Sequence, residues 1–175
     1  MNVKLKLTPG IYLTGFMASG KTTIGRLLAD ELGWNFVDID EEIEAAEGVS
    51  IAQIFDTRGE PEFRRIESAV IRRHIHDVEK GRPTVVALGG GAFAQPENAE
   101  LFEENGITIW LDCPFPVVKS RVEHASHRPL ARDLEKLEQL YQDRRPSYEK
   151  ADFRIEISGD DPALAVAAVL KLPIF

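Results

Sequence analysis

A glycine-rich segment near the start of the chain places the strongest constraint on its fold. Residues 15–25 read GFMASGKTTIG, follow the apolar run IYLT and open a run with apolar residues at helical spacing. This is the pattern G-x-x-x-x-G-K-[ST] between a strand and a helix, the context in which such a motif is meaningful. Free N–H groups at a helix N-terminus, together with the helix dipole, favour a bound phosphate. The segment therefore predicts a phosphate-binding loop.

Short apolar runs alternate with longer helical patterns along the rest of the chain. Five runs have the pattern of a strand: IYLTG, NFVDID, TVVALGGG, ITIWLD and DFRIEI. This alternation is typical of a parallel sheet with crossover helices, and no linker is long enough to separate two domains. The sequence predicts one α/β domain over residues 1–175, with a five-stranded parallel sheet in a three-layer α/β/α arrangement.

Composition and charge exclude several classes of partner. The chain carries a formal net charge of -8, which argues against non-specific binding to nucleic acid. A single cysteine, Cys113, excludes an internal disulfide and favours a reducing compartment. No run approaches the roughly 20 apolar residues of a membrane span, and no secretory signal is visible. We therefore expect a cytoplasmic monomer with no nucleic-acid or membrane partner.

Individual residues of the loop have predictable roles. Lys21 is placed to reach the outer phosphates of a nucleotide, and the hydroxyl of Thr22 to hold Mg²⁺. Ala18 occupies a position where such loops often carry glycine. Because a side chain with a Cβ disfavours positive φ, we expect a negative φ at Ala18 and a working loop.

Two carboxylates follow the second strand pattern. Asp38 and Asp40 stand at positions i and i+2 of NFVDID, so a strand through both would point them to the same face. Ligands bind at the carboxyl edge of an open parallel sheet. One carboxylate there can hold a water of the Mg²⁺ shell, and the other can accept a hydroxyl proton. The alternative is that Asp38 caps a helix beginning near Glu41.

Several segments together resemble one enzyme family. GFMASGKTTIG, DID, GEPEFRRIE, LGGGA, HRPL and RRPSY, in this order, resemble the shikimate kinases over roughly residues 12–157. The resemblance implies a P-loop kinase fold with a substrate-binding helical insertion at about residues 40–70 and a short lid at about residues 124–134. It also implies Mg²⁺-dependent transfer of the γ-phosphate of ATP to the 3-hydroxyl of shikimate, on the pathway to aromatic amino acids.

The same resemblance assigns roles to individual residues. It implies catalytic roles for Lys21, Asp40 and Arg128, and metal binding by Thr22 and, through water, Asp38. The residues implied to bind ATP are Met17, Ala18, Ser19, Gly20, Lys21, Thr22, Thr23, Arg121 and Arg128. Those implied to bind shikimate are Asp40, Arg64, Gly89, Gly90, Gly91 and Arg144.

The residue types fit these roles. The planar guanidinium of arginine matches a carboxylate at two points, which suits Arg64 and Arg144 to the carboxylate of shikimate. Glu67 follows Arg64 by three residues and is expected to orient it. Three glycines after a strand leave the backbone bare for the close approach of a ligand. Arg128, in the proline-broken segment ASHRPLARD, is suited to stabilising the transferring charge, and Arg121 to stacking on adenine.

Two other functions are compatible with a phosphate-binding loop. One is a kinase of another small hydroxy acid such as gluconate, which EFRRIE and R-x-P-x-Y do not support. The other is a non-catalytic binding module that has kept the fold and lost turnover. The second is disfavoured because the chain retains the full reactive set of Lys21, Thr22, Asp38, Asp40, Arg64, Arg128 and Arg144.

Overall fold

The computed structural model describes residues 10–125 and 133–175. Five strands in this part of the chain are β1 (Gly10–Thr14), β2 (Asn35–Asp38), β3 (Thr84–Ala87), β4 (Ile107–Asp112) and β5 (Phe153–Glu156). Its α-helices are α1 (Lys21–Leu32), α2 (Ile39–Glu47), α3 (Ile51–Arg58), α4 (Glu60–Glu79), α5 (Pro96–Asn105), α6 (Phe115–His124), α7 (Leu134–Tyr148) and α8 (Pro162–Leu170). A short 3-10 helix covers Ala92–Ala94.

The five strands form one parallel sheet in the order β2-β3-β1-β4-β5. This confirms the predicted α/β class and the number of strands. The central strand β1 is buried along its whole length. Because all strands run the same way, the segments that follow them meet at one edge of the sheet. That edge therefore gathers the phosphate-binding loop after β1, the carboxylates near the end of β2 and the glycine run after β3.

Helices cover both faces of the sheet. Tyr12 of β1 packs its ring on Phe102 of α5, with the ring centroids 4.9 Å apart. The next residue, Leu13, lies beside Gly25 of α1. Successive side chains of a strand point to opposite faces, so α5 and α1 lie on opposite sides of the sheet. The predicted three-layer α/β/α arrangement is confirmed.

Local signals set the ends of several helices. Ser50 caps α3, accepting a hydrogen bond from the backbone N–H of Gln53, whose side chain bonds back to the Ser50 N–H. Gly33 ends α1 with a left-handed φ of 67°, a conformation that glycine adopts without strain. Pro146 lies inside α7, and the helix ends two residues later at Tyr148. Among the helices of residues 10–125 and 133–175, none is long and apolar enough to cross a membrane.

Candidate active site

The phosphate-binding loop connects β1 to α1, as the motif predicts. The Nζ of Lys21 donates to the carbonyl oxygens of Gly15 and Phe16 at 2.7 and 2.9 Å, so the lysine lies over the loop. Gly15 and Gly20 have φ values of 147° and 95°, which only glycine adopts readily. The glycines of the motif are therefore needed for the turn that leads the chain into α1.

The expectation of a negative φ at Ala18 is wrong. Ala18 has a φ of 60°, the only positive value at a non-glycine residue in the described ranges. Ala18 is the third residue of a tight turn closed by a hydrogen bond from Ser19 N–H to the Phe16 carbonyl, a position at which one common turn type takes a positive φ. The carbonyl of Ala18 accepts a 2.7 Å hydrogen bond from Nη1 of Arg121, which helps to hold the strained residue in place.

Thr22 and Asp38 are in direct contact. The Thr22 hydroxyl donates to Oδ2 of Asp38 at 2.5 Å, while Oδ1 of Asp38 accepts the backbone N–H of Glu41 at 3.1 Å. Asp38 therefore caps α2, as the alternative interpretation has it, and at the same time faces the first residues of α1. A hydroxyl and a carboxylate are the oxygen ligands that Mg²⁺ prefers, so this pair fits a divalent cation beside a bound nucleotide.

Asp40 does not belong to the strand. β2 ends at Asp38, and α2 begins at Ile39, so Asp40 lies in the first helical turn. The prediction that both carboxylates close one strand is therefore wrong. Asp38 caps α2, so the helix begins at Ile39 and not near Glu41, where the sequence placed its start. Asp40 nevertheless reaches the same edge of the sheet. Burial raises the pKa of Asp40 to about 6, with smaller contributions from the carboxylates of Asp38 and Glu67.

The glycine run after β3 lies against charged side chains. A Cβ on Gly89 would lie 2.8 Å from Oδ1 of Asp40 and 3.0 Å from Oε2 of Glu67. A Cβ on Gly91 would collide with Nη2 of Arg64 and lie 2.6 Å from Nη1 of Arg144. Since real Cβ atoms do not approach so closely, these charged groups can occupy their positions only beside glycine.

Arg64 and Arg144 thus converge on one point, although they belong to α4 and α7. Nη1 of Arg64 donates to Oε1 of Glu67 at 2.8 Å, and the Glu67 side chain is only 1% exposed. This confirms that Glu67 orients Arg64. Burial raises the pKa of Glu67, and its Oε2 has no hydrogen-bond partner among the described residues. Arg65, by contrast, points outward and pairs with Glu62.

A cavity of about 550 Å³ runs from Asp40 and Gly90 past the phosphate-binding loop. Every loop residue assigned to ATP in the described part of the chain lines it, namely Met17, Ala18, Ser19, Gly20, Lys21, Thr22 and Thr23. At its other end lie Arg121 and the loop after β5, which includes Asp160 and Pro162. A cavity with this lining can hold a phosphate chain on the loop with its outer end towards Asp40.

Of the two arginines predicted to lie near ATP, the structure describes Arg121 but not Arg128. Arg121 lines the 550 Å³ cavity, where its guanidinium donates to the Ala18 carbonyl and pairs with Asp160 at 3.4 Å. Stacking on adenine stays a prediction. Arg128 and most of the proposed lid fall within residues 126–132 and so lie outside the described residues.

Sequence reasoning missed several residues at the carboxyl edge of the sheet. Ile157, Ala165 and Leu88 form apolar parts of the cavity wall. Asp112, the last residue of β4, is buried there in contact with two arginines. The position of Asp112 at the end of an apolar strand pattern, like that of Asp38, was the signal that could have revealed it.

Comparison with known proteins gives a consistent result. The family model for shikimate kinase matches residues 17–172. A shikimate kinase of Persephonella marina is 43% identical over 161 residues, covering 91% of this chain and 96% of the relative. One from Aquifex aeolicus is 38% identical over 165 residues, covering 94% and 95%.

Solved structures agree. A shikimate kinase from Acinetobacter baumannii in complex with shikimate superposes with a TM-score of 0.86 at 35% identity, covering 96% of this chain and 94% of that one. A gluconokinase from Sinorhizobium meliloti has a TM-score of 0.56 at 17% identity, covering 95% and 94%. The second likeness shows the shared fold alone.

Proposed function

The chain belongs to the shikimate kinase family, and on that premise we propose that it transfers the γ-phosphate of ATP to the 3-hydroxyl of shikimate. The products are shikimate 3-phosphate and ADP. The observation that carries the proposal is the convergence of Arg64 and Arg144 on Gly91, beside the Asp40 end of the nucleotide cavity. Two guanidinium groups at one point form a site for a carboxylate, and shikimate has one carboxylate.

In this proposal the acceptor lies between the two arginines and Asp40. Its carboxylate binds to Arg64 and Arg144, which leaves the ring hydroxyls directed towards the carboxylate of Asp40. A carboxylate with a pKa of about 6 is mostly ionised at neutral pH and still basic enough to accept a proton. Asp40 accepts the proton of the 3-hydroxyl as the oxygen of that group attacks the γ-phosphorus, and ADP leaves.

The donor nucleotide lies on the phosphate-binding loop. Lys21 and the backbone N–H groups that open α1 bind its phosphates, and the N-terminal end of the helix dipole favours their charge. Thr22 and, through water, Asp38 hold Mg²⁺, which neutralises negative charge on the phosphates when bound. Arg128 is proposed to stabilise the transferring charge, and Arg121 to border adenine.

We further propose that the enzyme acts as a monomer in the cytoplasm. The phosphate-binding loop, the glycine run and both arginines of the site all come from one chain. The only cysteine, Cys113, is buried and forms no disulfide. Size-exclusion chromatography with light scattering checks the monomer, and a mass of about twice that of one chain contradicts it.

A coupled assay for ADP release tests the proposed reaction. The purified protein is incubated with ATP and Mg²⁺ and with shikimate, gluconate or no acceptor. We expect turnover with shikimate alone, and loss of that turnover when EDTA removes the metal. Turnover of gluconate without turnover of shikimate contradicts the proposal, as does ATP binding without turnover of either acceptor.

A further inference from the structure

Asp112 joins three elements at the carboxyl edge of the sheet. It ends β4, and its side chain is only 8% exposed. Arg145 of α7 grips it at two points, with Nη1 at 2.8 Å from Oδ1 and Nη2 at 3.3 Å from Oδ2. Arg154 of β5 lies on the other side, with Nη2 at 2.6 Å from Oδ2. One buried carboxylate therefore holds two guanidinium groups that belong to different elements.

Aromatic side chains enclose the contact between Arg145 and Asp112. The guanidinium of Arg145 lies 4.9 Å from the ring centroid of Trp110 and 5.3 Å from that of Tyr141. The Tyr141 hydroxyl accepts a 2.8 Å hydrogen bond from Arg145 and donates one of the same length to the carbonyl of Cys113. A charged contact with such surroundings is partly shielded from water, so it is stronger than an ordinary surface ion pair.

The last turn of α7 needs side-chain contacts of this kind. Pro146 lies within that turn and has no N–H to donate to the preceding turn of the helix, so the backbone alone holds it weakly. Arg145 fastens the turn to β4, and the Tyr148 hydroxyl fastens it to the Gly90 carbonyl at 2.5 Å. One contact before the proline and one after it therefore hold the end of the helix against the sheet.

Arg144 directly precedes Arg145 in α7. Adjacent residues of a helix point about 100° apart, so Arg145 can bind Asp112 while Arg144 faces Gly91. We propose that Asp112 and Arg145 are positioning residues, which hold Arg144 where it meets the carboxylate of the acceptor. The inference rests on the proposed function. The motif R-x-P-x-Y gives neither residue a role, because Arg145 stands at its first variable position and Asp112 lies outside it.

Arg145→Gln and Arg154→Gln form a matched pair for the test. Each removes one of the two arginines bound to Asp112 and one cation beside Trp110, but only Arg145 belongs to the helix that carries Arg144. We expect Arg145→Gln to raise the KM for shikimate about tenfold, with kcat and the KM for ATP within about twofold of the wild type, the size of one charge-assisted contact. Arg154→Gln should leave all three within about twofold. Equal rises in the two variants, or no rise in Arg145→Gln, overturn the proposal.

A double variant separates positioning from general weakening of the fold. If Arg145 acts through Arg144, Arg145→Gln should add little to the KM for shikimate once Arg144→Ala is present. A further tenfold rise in that background overturns the proposal. Should Arg145→Gln fail to fold, Arg145→Lys is the substitute, because it keeps the charge but cannot bind Asp112 at two points. An unchanged KM for shikimate in Arg145→Lys also overturns the proposal. Failure of the wild type to phosphorylate shikimate contradicts the proposed function. Normal turnover by the wild type, with the same KM for shikimate in Arg145→Gln, contradicts the positioning role alone.

Discussion

Arg64 and Arg144 bring their guanidinium groups together beside Gly91, where an added Cβ would collide with Arg64 and lie 2.6 Å from Nη1 of Arg144. The two residues come from α4 and α7. Glu67 binds Arg64 directly, while Asp112 binds Arg145, the neighbour of Arg144. Two cations brought this close repel one another unless an anion lies between them. Their arrangement is therefore that of a site prepared for an anionic ligand.

Replacing Gly91 by alanine tests this geometry without removing either charge. A Cβ at this position collides with both guanidinium groups, so they must move apart. We expect the KM for shikimate to rise at least about tenfold, since charge-assisted hydrogen bonds depend strongly on distance, while the KM for ATP stays within about twofold. Steady-state kinetics with each substrate varied in turn measures both constants.

Gly90→Ala is the comparison for that variant. A Cβ on Gly90 meets nothing closer than 3.6 Å, so the arginines should keep their positions. Its effect on the KM for shikimate should be smaller than that of Gly91→Ala. Equal effects in the two variants contradict the view that Gly91 is required by the arginines.

Arg64→Ala should affect both substrate binding and stability. The loss of one arginine from the carboxylate site should raise the KM for shikimate about tenfold or more and leave the KM for ATP nearly unchanged. The substitution also removes the cation that is hydrogen-bonded to the buried Glu67, so the folded-state pKa of Glu67, already raised by burial, rises further. A carboxyl group whose pKa is higher in the folded than in the unfolded state makes the folded protein less stable as pH rises. The variant should therefore be about 3 kcal/mol less stable than the wild type at pH 8 and closer to it near pH 4.

Arg65→Ala is the control for this prediction. Arg65 is adjacent in sequence, its side chain is 68% exposed, and it pairs with Glu62 on the helix surface. Its replacement should change neither KM value by more than about twofold, because exposed ion pairs contribute little. Urea unfolding at the two pH values measures the stability of both variants. A stability loss in Arg64→Ala that is the same at both pH values contradicts the role given to Glu67.

Asp40→Asn should separate catalysis from stability. Loss of the proton acceptor should reduce kcat by about 100-fold or more, while ATP still binds. Burial holds the pKa of Asp40 at about 6, above its pKa in the unfolded chain. Ionisation of Asp40 therefore opposes folding once the pH exceeds the unfolded-state pKa. The variant should therefore gain on the order of 2 kcal/mol of unfolding free energy at pH 8 and little near pH 4.

Asp56→Asn provides the matched control, since Asp56 is exposed on α3. It should leave kcat and the free energy of unfolding at pH 8 close to those of the wild type. In the wild type, kcat/KM should fall as the pH drops below about 6, because Asp40 is then protonated. Near-normal kcat in Asp40→Asn removes the proposed role of this residue as a base.

Ala18→Gly tests the strained position in the phosphate-binding loop. Glycine adopts a φ of 60° without the steric cost that alanine incurs, so the variant should be about 1 kcal/mol more stable by thermal or urea unfolding. The hydrogen bond from Arg121 to the carbonyl of residue 18 does not depend on the side chain, so the KM for ATP should change by less than about threefold. Sharply higher activity shows that the alanine restrains catalysis.

The sequence predicted the local features of this molecule better than the contacts between distant residues. The alternating strand and helix patterns and the phosphate-binding loop depend on neighbouring residues, and the structure confirms them. The strand through Asp40 and the φ of Ala18 were wrong, because a helix cap and a tight turn overrode the simple pattern. The contact between Arg145 and Asp112 joins separate elements, and only the folded sheet brings those residues together.

A crystal structure with ADP, Mg²⁺ and shikimate tests the central claim most directly. The account predicts that the shikimate carboxylate lies between Arg64 and Arg144 over Gly91, with the 3-hydroxyl within hydrogen-bond distance of Asp40 and directed towards the nucleotide. A carboxylate bound elsewhere, or a 3-hydroxyl directed away from the nucleotide, contradicts it.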